Sequence, residues 1–369
     1  MRESTQSQLM AVAHGVAPRF GGPGKAPDLM PLGRGLINET FLVTQGDHRW
    51  VLQRINGQVF PAPEAIIQNH RTLTGLRDEW GDGGLFELPA LLRTREGEDF
   101  VRDTEGAVWR AISFIPGALP KPRLSGGDQA YGVGQLLGWF HRLVVRAPDA
   151  AFIDTLPGFH ETPRYLESFD LALNECPEAG FLDRHPQAPL EFVRARRERA
   201  LLLDQAQASG RLRPRVIHGD PKLDNVLFRG GHDMPIALID LDTVKPGLIQ
   251  HDFGDCVRSC CNVGGEAGVE AVRFDLDLLE RLLSGYVCEA RAILTEEDLA
   301  FFAEAIWLLP FELGLRFLSD HLAGDIYFRV TAPGQNLQRA LRQFHLVSLI
   351  EAREGAISAL VDQARHLLD

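Results

Sequence analysis

The chain has 369 residues, of which 45% are hydrophobic and 24% are charged, a composition typical of a folded protein with a large buried core. The 38 basic and 50 acidic residues give a formal net charge of −12. This balance lacks the basic field of a nucleic-acid-binding protein, so we expect no nucleic-acid partner. An anionic substrate would need a local basic cluster or a metal ion.

The five cysteines form no CxxC pair, so the sequence indicates neither a disulfide framework nor a zinc site. Cys256, Cys260 and Cys261 lie at helical spacing and are predicted to be buried free thiols. No signal-peptide core and no run of 18 apolar residues are present. We expect a cytoplasmic protein without a membrane partner, either a monomer or a weak homo-oligomer.

The first part of the chain is β-rich. Two runs typical of strands, Thr40–Thr44 and Arg49–Ile55, flank a turn at Gly46–Asp47 and predict a hairpin. Gly33 and Gly35 stand before it. A glycine-rich turn at the mouth of a hairpin can direct backbone N–H groups toward phosphates, although such glycines are more often simple turn formers.

A helix over 63–77 and a second hairpin over 99–118 complete this β-rich unit, which a Pro-Gly break at 116–117 ends. Beyond the break, apolar residues at helical spacing predict helices at 131–145, 190–207, 296–309, 311–323, 336–351 and 353–367. One β-rich segment lies among them. We predict an α+β fold with a small β-rich lobe at 1–115 and a larger, mainly α lobe at 116–369.

The β-rich segment of the second lobe contains "VIHGDPKLDNVLF" at 216–228. His218, Asp220, Lys222 and Asn225 follow the order His-x-Asp-x-Lys-x-x-Asn of a kinase catalytic loop. That order predicts Asp220 as the base for an attacking hydroxyl, Lys222 as the group that neutralises the phosphoryl, and Asn225 as a metal ligand. The alternative is a set of residues that only stabilises a turn.

An apolar strand, "PIALID", delivers Asp240 at its end, with Asp242 two residues later. Carboxylates at the end of a strand are held in a fixed position and can bind Mg²⁺, so the sequence predicts both as metal residues. The kinase-like string Asp-Phe-Gly begins only at Asp252, 12 residues further along. We interpret that string as a coincidence, with Asp252 and Asp255 capping a helix that starts near 255 or bracing the catalytic loop.

"HGDPKLDN" and "LIDLDTVKPG" resemble the aminoglycoside phosphotransferase and choline kinase superfamily. "GLINETFLV", "WRAISFIPGA" and "LRFLSDHLAGDIYF" are similar to its N-acetylhexosamine 1-kinase branch. The resemblance implies a bilobal protein-kinase-like fold that uses ATP and Mg²⁺ and phosphorylates the anomeric hydroxyl of a sugar. Two alternatives stay open: a kinase of another small alcohol, such as an aminoglycoside or choline, and a non-catalytic nucleotide-binding scaffold.

The same resemblance assigns Asp220 as the base, Asn225 and Asp240 as metal ligands, and Asp242 as support for a second metal or for the loop. Arg54, in "VLQRING", occupies the place of the phosphate-pairing lysine. Arginine suits that place because it is always charged and binds oxygens with two donors. The following helix has no glutamate in its middle to orient Arg54.

The nucleotide and the acceptor are expected on opposite sides of Asp220. Adenine should lie at the break between the lobes, where the backbone near Ser113, Phe114 and Ile115 would read its edge. Arg316 is predicted to bind the acceptor.

Tyr327, 11 residues after Arg316, is the second predicted acceptor residue. The resemblance to the 1-kinases points to the same two positions. Arg316 also precedes Asp320 by four residues, so a plain helix ion pair is the alternative role for Arg316.

Overall fold

The computed structural model describes residues 2–33, 37–80, 84–148, 151–175, 188–230, 234–264 and 268–368. Gly35 therefore lies outside the described residues. The first part of the chain contains α1 (Arg2–Val16), β1 (Asp28–Pro31), β2 (Glu39–Gln45), β3 (His48–Arg54), α2 (Pro63–Trp80), β4 (Leu91–Leu92), β5 (Val101–Arg102) and β6 (Val108–Ser113).

The strands of this first part form one antiparallel sheet in the order β1-β2-β3-β6-β4, with β5 added on β6. The β2–β3 hairpin pairs Gln45 with His48 across Gly46, whose φ of 61° is the left-handed conformation that favours glycine. Both hairpins predicted from the sequence are confirmed.

Helices cover the two faces of the sheet. Residues of α1 pack with Trp50 and Trp109 on one face. Val51 and Ile112 pack with residues of α2 on the other. Because successive side chains in a strand point to opposite faces, each residue of β3 belongs either to the α1 side or to the α2 side.

The rest of the chain is mainly helical. It contains β7 (Ala118–Pro120), α3 (Gly127–Val144), α4 (Thr162–Glu175), α5 (Ala188–Arg196), α6 (Leu202–Ala208), β8 (Arg215–Ile217), β9 (Val226–Arg229), β10 (Pro235–Leu238), β11 (Lys245–Gly247), α7 (Ile249–Cys260), α8 (Leu276–Ala290), α9 (Glu296–Ala300), α10 (Phe302–Leu322), α11 (Gln335–Glu351) and α12 (Glu354–Arg365). A β-rich first part followed by a helical second part confirms the predicted fold class. The division at 115/116 stays a prediction.

Two predicted helix boundaries are wrong. The expected break near 310 does not occur, because α10 runs through Pro310 and the interruption comes at Phe301 instead. The single helix expected over 190–207 is divided into α5 and α6.

Glycines allow α3 and α8 to pack in close contact. A Cβ at Gly134 would lie 2.0 Å from the carbonyl oxygen of Leu282, and one at Gly285 would lie 2.0 Å from that of Tyr131.

The three thiols predicted to be buried, Cys256, Cys260 and Cys261, are buried and free. None of the described helices is long and apolar enough to cross a bilayer.

Short strands carry the catalytic segments. The loop between β8 and β9 holds the kinase-like motif, and β10 leads to Asp240. The two parts of the chain are joined at β10, where Glu87 N–H donates to the Ile236 carbonyl (2.7 Å) and Leu238 N–H donates to the Glu87 carbonyl (3.3 Å). The segment that leads into β4 of the first sheet is thus hydrogen-bonded to the strand that positions Asp240.

Candidate active site

The catalytic loop turns at Gly219, whose φ is 86°. A Cβ there would lie 2.6 Å from the carbonyl oxygen of Thr243, so both conformation and space require glycine. The carboxylate of Asp252 accepts the backbone N–H groups of His218 (2.7 Å) and Gly219 (2.8 Å). These bonds hold the two residues that immediately precede Asp220.

Asp252 is fully buried and is bonded to His141 Nε2 at 2.9 Å. Burial alone would raise the pKa of its carboxyl, but the hydrogen bond and charge of His141 outweigh burial and lower it. The prediction that Asp252 braces the loop is confirmed. The alternative that it caps a helix starting near 255 is wrong, because α7 begins at Ile249.

Asp220 lies between two side chains of its own loop. Lys222 Nζ donates to Asp220 Oδ2, and Asn225 Nδ2 donates to Asp220 O (2.7 Å) and Oδ2 (3.1 Å). Burial alone would lower the pKa of Lys222, but the charges of Asp220 and Asp240 raise it to about 12. Because the amide nitrogen of Asn225 faces Asp220, its Oδ1 stays available as an acceptor.

Asp240 follows β10 with φ 65° and ψ 62°, a left-handed conformation that is uncommon for a residue other than glycine. Its side chain is open to solvent, although the residue lies deep among protein atoms. That depth, and then the charges of Asp242 and Asp220, raise the pKa of its carboxyl to about 7. The neighbouring Ile239 N–H donates to the Asn225 carbonyl at 2.9 Å and ties the two segments together.

Asp242 is buried and both of its carboxylate oxygens already have protein donors. Arg110 Nη2 donates to Oδ1, and Asn38 Nδ2 donates to Oδ2 at 2.6 Å. The Thr155 hydroxyl donates to the backbone carbonyl of Asp242 at 2.6 Å. In this structure Asp242 is a buried anchor that links the sheet of the first part to the segment carrying Asp240, and its assignment as a metal residue stays a prediction.

The position of Arg54 differs from the expectation. Arg54 lies opposite Trp109 in the β3–β6 pair, on the face that α1 covers, and its guanidinium pairs with Glu105 (3.2 Å) and Asp103 (3.6 Å). The assignment of Arg54 to the nucleotide phosphates is corrected accordingly. Arg110 is a basic side chain on the other face, and its guanidinium donates to Asp242.

Two residues of this region were missed by sequence reasoning. Arg110 is the one charged residue in the apolar strand "VWRAIS", a signal that strand alternation could have used. Asn38, immediately before β2, carried no comparable signal.

Magnesium suits the groups around Asp240. Among the described residues no three His, Cys, Asp or Glu side chains converge as a metal cage. Magnesium rarely needs one, because it keeps several waters and binds one or two carboxylates together with substrate phosphates. A solvent-open carboxylate with a raised pKa fits such an ion, and Asn225, whose amide nitrogen donates to Asp220, could add its amide oxygen.

The predicted adenine contacts lie where the first sheet ends. Ser113 is already bonded to Ala90, through its backbone N–H (2.8 Å) and its Oγ (2.8 Å). Within the described chain, no protein group bonds to the backbone of Phe114 or Ile115. Ile115 packs with residues of β10. Gly33 is exposed in a turn with φ 74°.

Arg316 lies in a set of four aromatic rings, which we call the aromatic wall. Its guanidinium carbon is 5.1 Å from the ring centroid of Phe159, 5.2 Å from Tyr165, 5.9 Å from Tyr327 and 5.4 Å from Phe328. The structure therefore brings Arg316 and Tyr327 together, as predicted.

In the part of the chain that the structure describes, Asp320 forms no ion pair with Arg316. Its carboxylate accepts the backbone N–H groups of Ile326 (2.9 Å), Tyr327 (2.7 Å) and Phe328 (2.9 Å). The alternative prediction, that Arg316 only forms a helix ion pair with Asp320, is therefore wrong. Asp320 instead folds the loop that presents Tyr327.

The family model described as the phosphotransferase enzyme family matches residues 28–285. The chain belongs to this family. The matched range contains the whole first sheet, the catalytic loop and Asp240, and it ends within α8, before Arg316.

Solved structures with the same fold include a microcompartment-associated aminopropanol kinase, with a TM-score of 0.65 and 17% identity over 96% of this chain and 98% of that one. A choline kinase from Cryptosporidium parvum matches with a TM-score of 0.61 and 12% identity over 99% and 100% of the two chains. Spectinomycin phosphotransferase, solved with ADP and spectinomycin, matches with a TM-score of 0.56 and 14% identity over 94% of this chain and 98% of that one. At these identities the likeness shows the kinase-like fold.

Proposed function

We propose that this phosphotransferase transfers the γ-phosphoryl group of ATP to a hydroxyl of a small neutral molecule, and that the acceptor is the anomeric hydroxyl of an N-acetylhexosamine or a related sugar. The environment of Arg316 is the observation that carries the choice of acceptor. The resemblance to the 1-kinase branch supports the sugar, and family membership supports the phosphoryl transfer.

The nucleotide is proposed to bind at the junction of the two lobes. The free backbone groups of Phe114 and Ile115 would read the adenine edge, and the turn at Gly33 would cover the phosphates. Asp240 and Asn225 Oδ1 would hold Mg²⁺, which when bound offsets the charge of the phosphates.

Asp220 is proposed as the base that accepts the proton of the acceptor hydroxyl. Lys222 and Asn225 fix its carboxylate through Oδ2, which leaves Oδ1 directed away from these two donors. Lys222 stays protonated near neutral pH because its pKa is about 12. It can therefore donate to the moving phosphoryl group without giving up its own proton.

The aromatic wall supports a neutral acceptor. The guanidinium of Arg316 is charged at every physiological pH, and the described residues give it aromatic rings rather than a carboxylate. Its N–H groups can therefore bind hydroxyl or N-acetyl oxygens, and the rings can pack against a sugar face. The same fixed positive charge repels choline and polycationic aminoglycosides.

The deciding experiment is ATP consumption measured with free hexoses, N-acetylhexosamines, aminopropanol, choline and aminoglycosides. We expect turnover with an N-acetylhexosamine or a close relative. The product should be an anomeric phosphate, recognised by its acid lability and by its ³¹P coupling to the anomeric proton. Turnover restricted to a cationic acceptor would reject the sugar, and no turnover with any acceptor would favour a non-catalytic scaffold.

Variants of the wall test the site. Arg316→Ala and Tyr327→Phe should raise the acceptor KM strongly and leave the ATP KM nearly unchanged. Arg339→Ala is the matched control, because Arg339 also lies over an aromatic ring, that of Phe317, at 5.5 Å. An acceptor KM that changes equally in Arg316→Ala and Arg339→Ala would place the acceptor elsewhere.

A further inference from the structure

His160 connects the aromatic wall to the catalytic loop. Its Nε2 bonds to the Gly219 carbonyl at 2.9 Å, and its Nδ1 bonds to Glu312 Oε2 at 3.0 Å. A carbonyl oxygen only accepts hydrogen bonds, so Nε2 carries a proton. The imidazole is thus fixed on the residue directly before Asp220.

Glu312 is a buried carboxylate that faces His160 Nδ1 and accepts a hydrogen bond from the Thr162 hydroxyl. Burial alone would raise the pKa of Glu312, but the hydrogen bond and charge of His160 lower it. Burial alone would lower the pKa of His160, but the same contact raises it and so favours donation by both ring nitrogens, to Glu312 and to the Gly219 carbonyl. Glu312 thus favours the protonated imidazole at the catalytic loop.

The backbone at His160 is unusual for a histidine. Its φ is 60°, and it follows Gly158 by two residues, where φ is 89°. A left-handed conformation at a residue other than glycine costs free energy and persists only where surrounding contacts enforce it. Here the enforced conformation directs Phe159 and His160 to two different parts of the site.

The same segment touches Arg316 through two aromatic rings. Phe159 and Tyr165 are rings of the aromatic wall, and the Tyr165 hydroxyl accepts the backbone N–H of His160 at 2.8 Å. Glu312 precedes Arg316 by one turn of α10. A displacement of His160 would therefore move the wall and the loop relative to each other.

The loop residue Gly219 is held from both sides. Asp252 accepts its N–H at 2.8 Å, while His160 donates to its carbonyl. The Asp252 contact joins the loop to α7, and the His160 contact joins it to the wall. Only the second contact links Asp220 to the place where the acceptor is proposed to bind.

We propose that His160 is a positioning residue that sets the acceptor hydroxyl against the carboxylate of Asp220. This inference rests on the proposed acceptor site at the aromatic wall. A misplacement of about 1 Å between reacting groups can lower a rate by about 100-fold, so loss of this contact should slow transfer to the acceptor. Transfer to water, which needs no wall, should be spared.

The test compares two rates in the full-length protein: phosphoryl transfer to the best acceptor of the wild type, and hydrolysis of ATP by water. The measured quantity is the first rate divided by the second. A glutamine keeps a donor for only one of the two partners of His160. His160→Gln should therefore lower the ratio by about 10-fold or more and raise the acceptor KM, with an ATP KM within about twofold of wild type.

Gln250→Met is the matched control, because it removes buried hydrogen bonds from Gln250 to Asp298 without touching the wall or the loop. Its ratio should equal that of the wild type. If His160→Gln does not fold, Glu312→Gln examines the same connection, since it keeps the shape and removes the charge that favours the protonated imidazole. The ratio should again fall.

An unchanged ratio in a folded His160→Gln or Glu312→Gln variant would overturn the inference while leaving the proposed function intact. A fall in the ratio that Gln250→Met shares would overturn it as well, since the effect would then be general destabilisation. A wild type that transfers phosphate to no acceptor would reject the proposed function and this inference together.

Discussion

Replacing Arg110 by methionine is expected to destabilise the protein far more than the same replacement at Arg54. Only 1% of the Arg110 side chain and 2% of the Asp242 side chain are exposed, and their contact joins the two parts of the chain. Arg54 is 32% exposed and pairs with Glu105, which is 74% exposed. Its contact with the buried Asp103 is long, at 3.6 Å, and Asp103 also accepts a hydrogen bond from Trp109 Nε1. Methionine keeps most of the aliphatic stem, so the comparison isolates the charged groups.

The expected magnitude follows from burial. Removing one partner of a buried ion pair leaves an uncompensated charge and typically costs about 3–5 kcal/mol of unfolding free energy. Asn38 still donates to Asp242 in the variant, which favours the lower end of that range. An exposed pair contributes about 0–1 kcal/mol, so Arg54→Met should change stability little.

The assay is urea unfolding of both variants, of Asp242→Asn and of the double variant Arg110→Met/Asp242→Asn. The double variant should cost less than the sum of the two single variants, because it leaves neither charge unpaired. If Arg110→Met costs no more than Arg54→Met, the interpretation of the Arg110–Asp242 pair as the buried link between the lobes is refuted.

Three further predictions concern the acids. Asp220→Asn should lower kcat by about 10²–10⁴ with little change in the ATP KM, and near-wild-type turnover would remove Asp220 from the mechanism. Asp240→Ala should abolish turnover in a folded protein, whereas Asp252→Ala should mainly lower the melting temperature; the reverse pattern would show that Asp252 holds the metal. Burial, followed by the charge of Glu312, raises the pKa of Asp204 from 3.8 to about 7. The folded protein then keeps a proton that the unfolded chain has lost, so stability should fall as pH rises from about 4 to 7. Asp204→Asn should flatten this fall in melting scans between pH 4 and 8, and an identical slope in the two proteins would contradict the assignment.

The catalytic loop was predictable because its residues act locally. Asp220, Lys222 and Asn225 lie within six consecutive residues, and the hydrogen bonds among them follow from that spacing. The same holds for the hairpin at Gly46, which is set by turn chemistry. Asp252 lies 12 residues beyond Asp240 in the sequence, and its carboxylate bonds to the backbone of the loop rather than to the side chains of Asp220 and Asn225.

The amino-acid sequence alone determined the order of the β-rich and helical parts, the loop motif and the strand that leads to Asp240. Strand alternation also required Gln53 and Arg54 to face opposite ways, but it could not tell which face meets the second lobe. The tertiary structure decided that question, because α1 covers the Arg54 face and Asp242 meets Arg110 on the other. The contact of His160 with Gly219 spans 59 residues of sequence and depends on how α10 packs, so no local pattern could encode it.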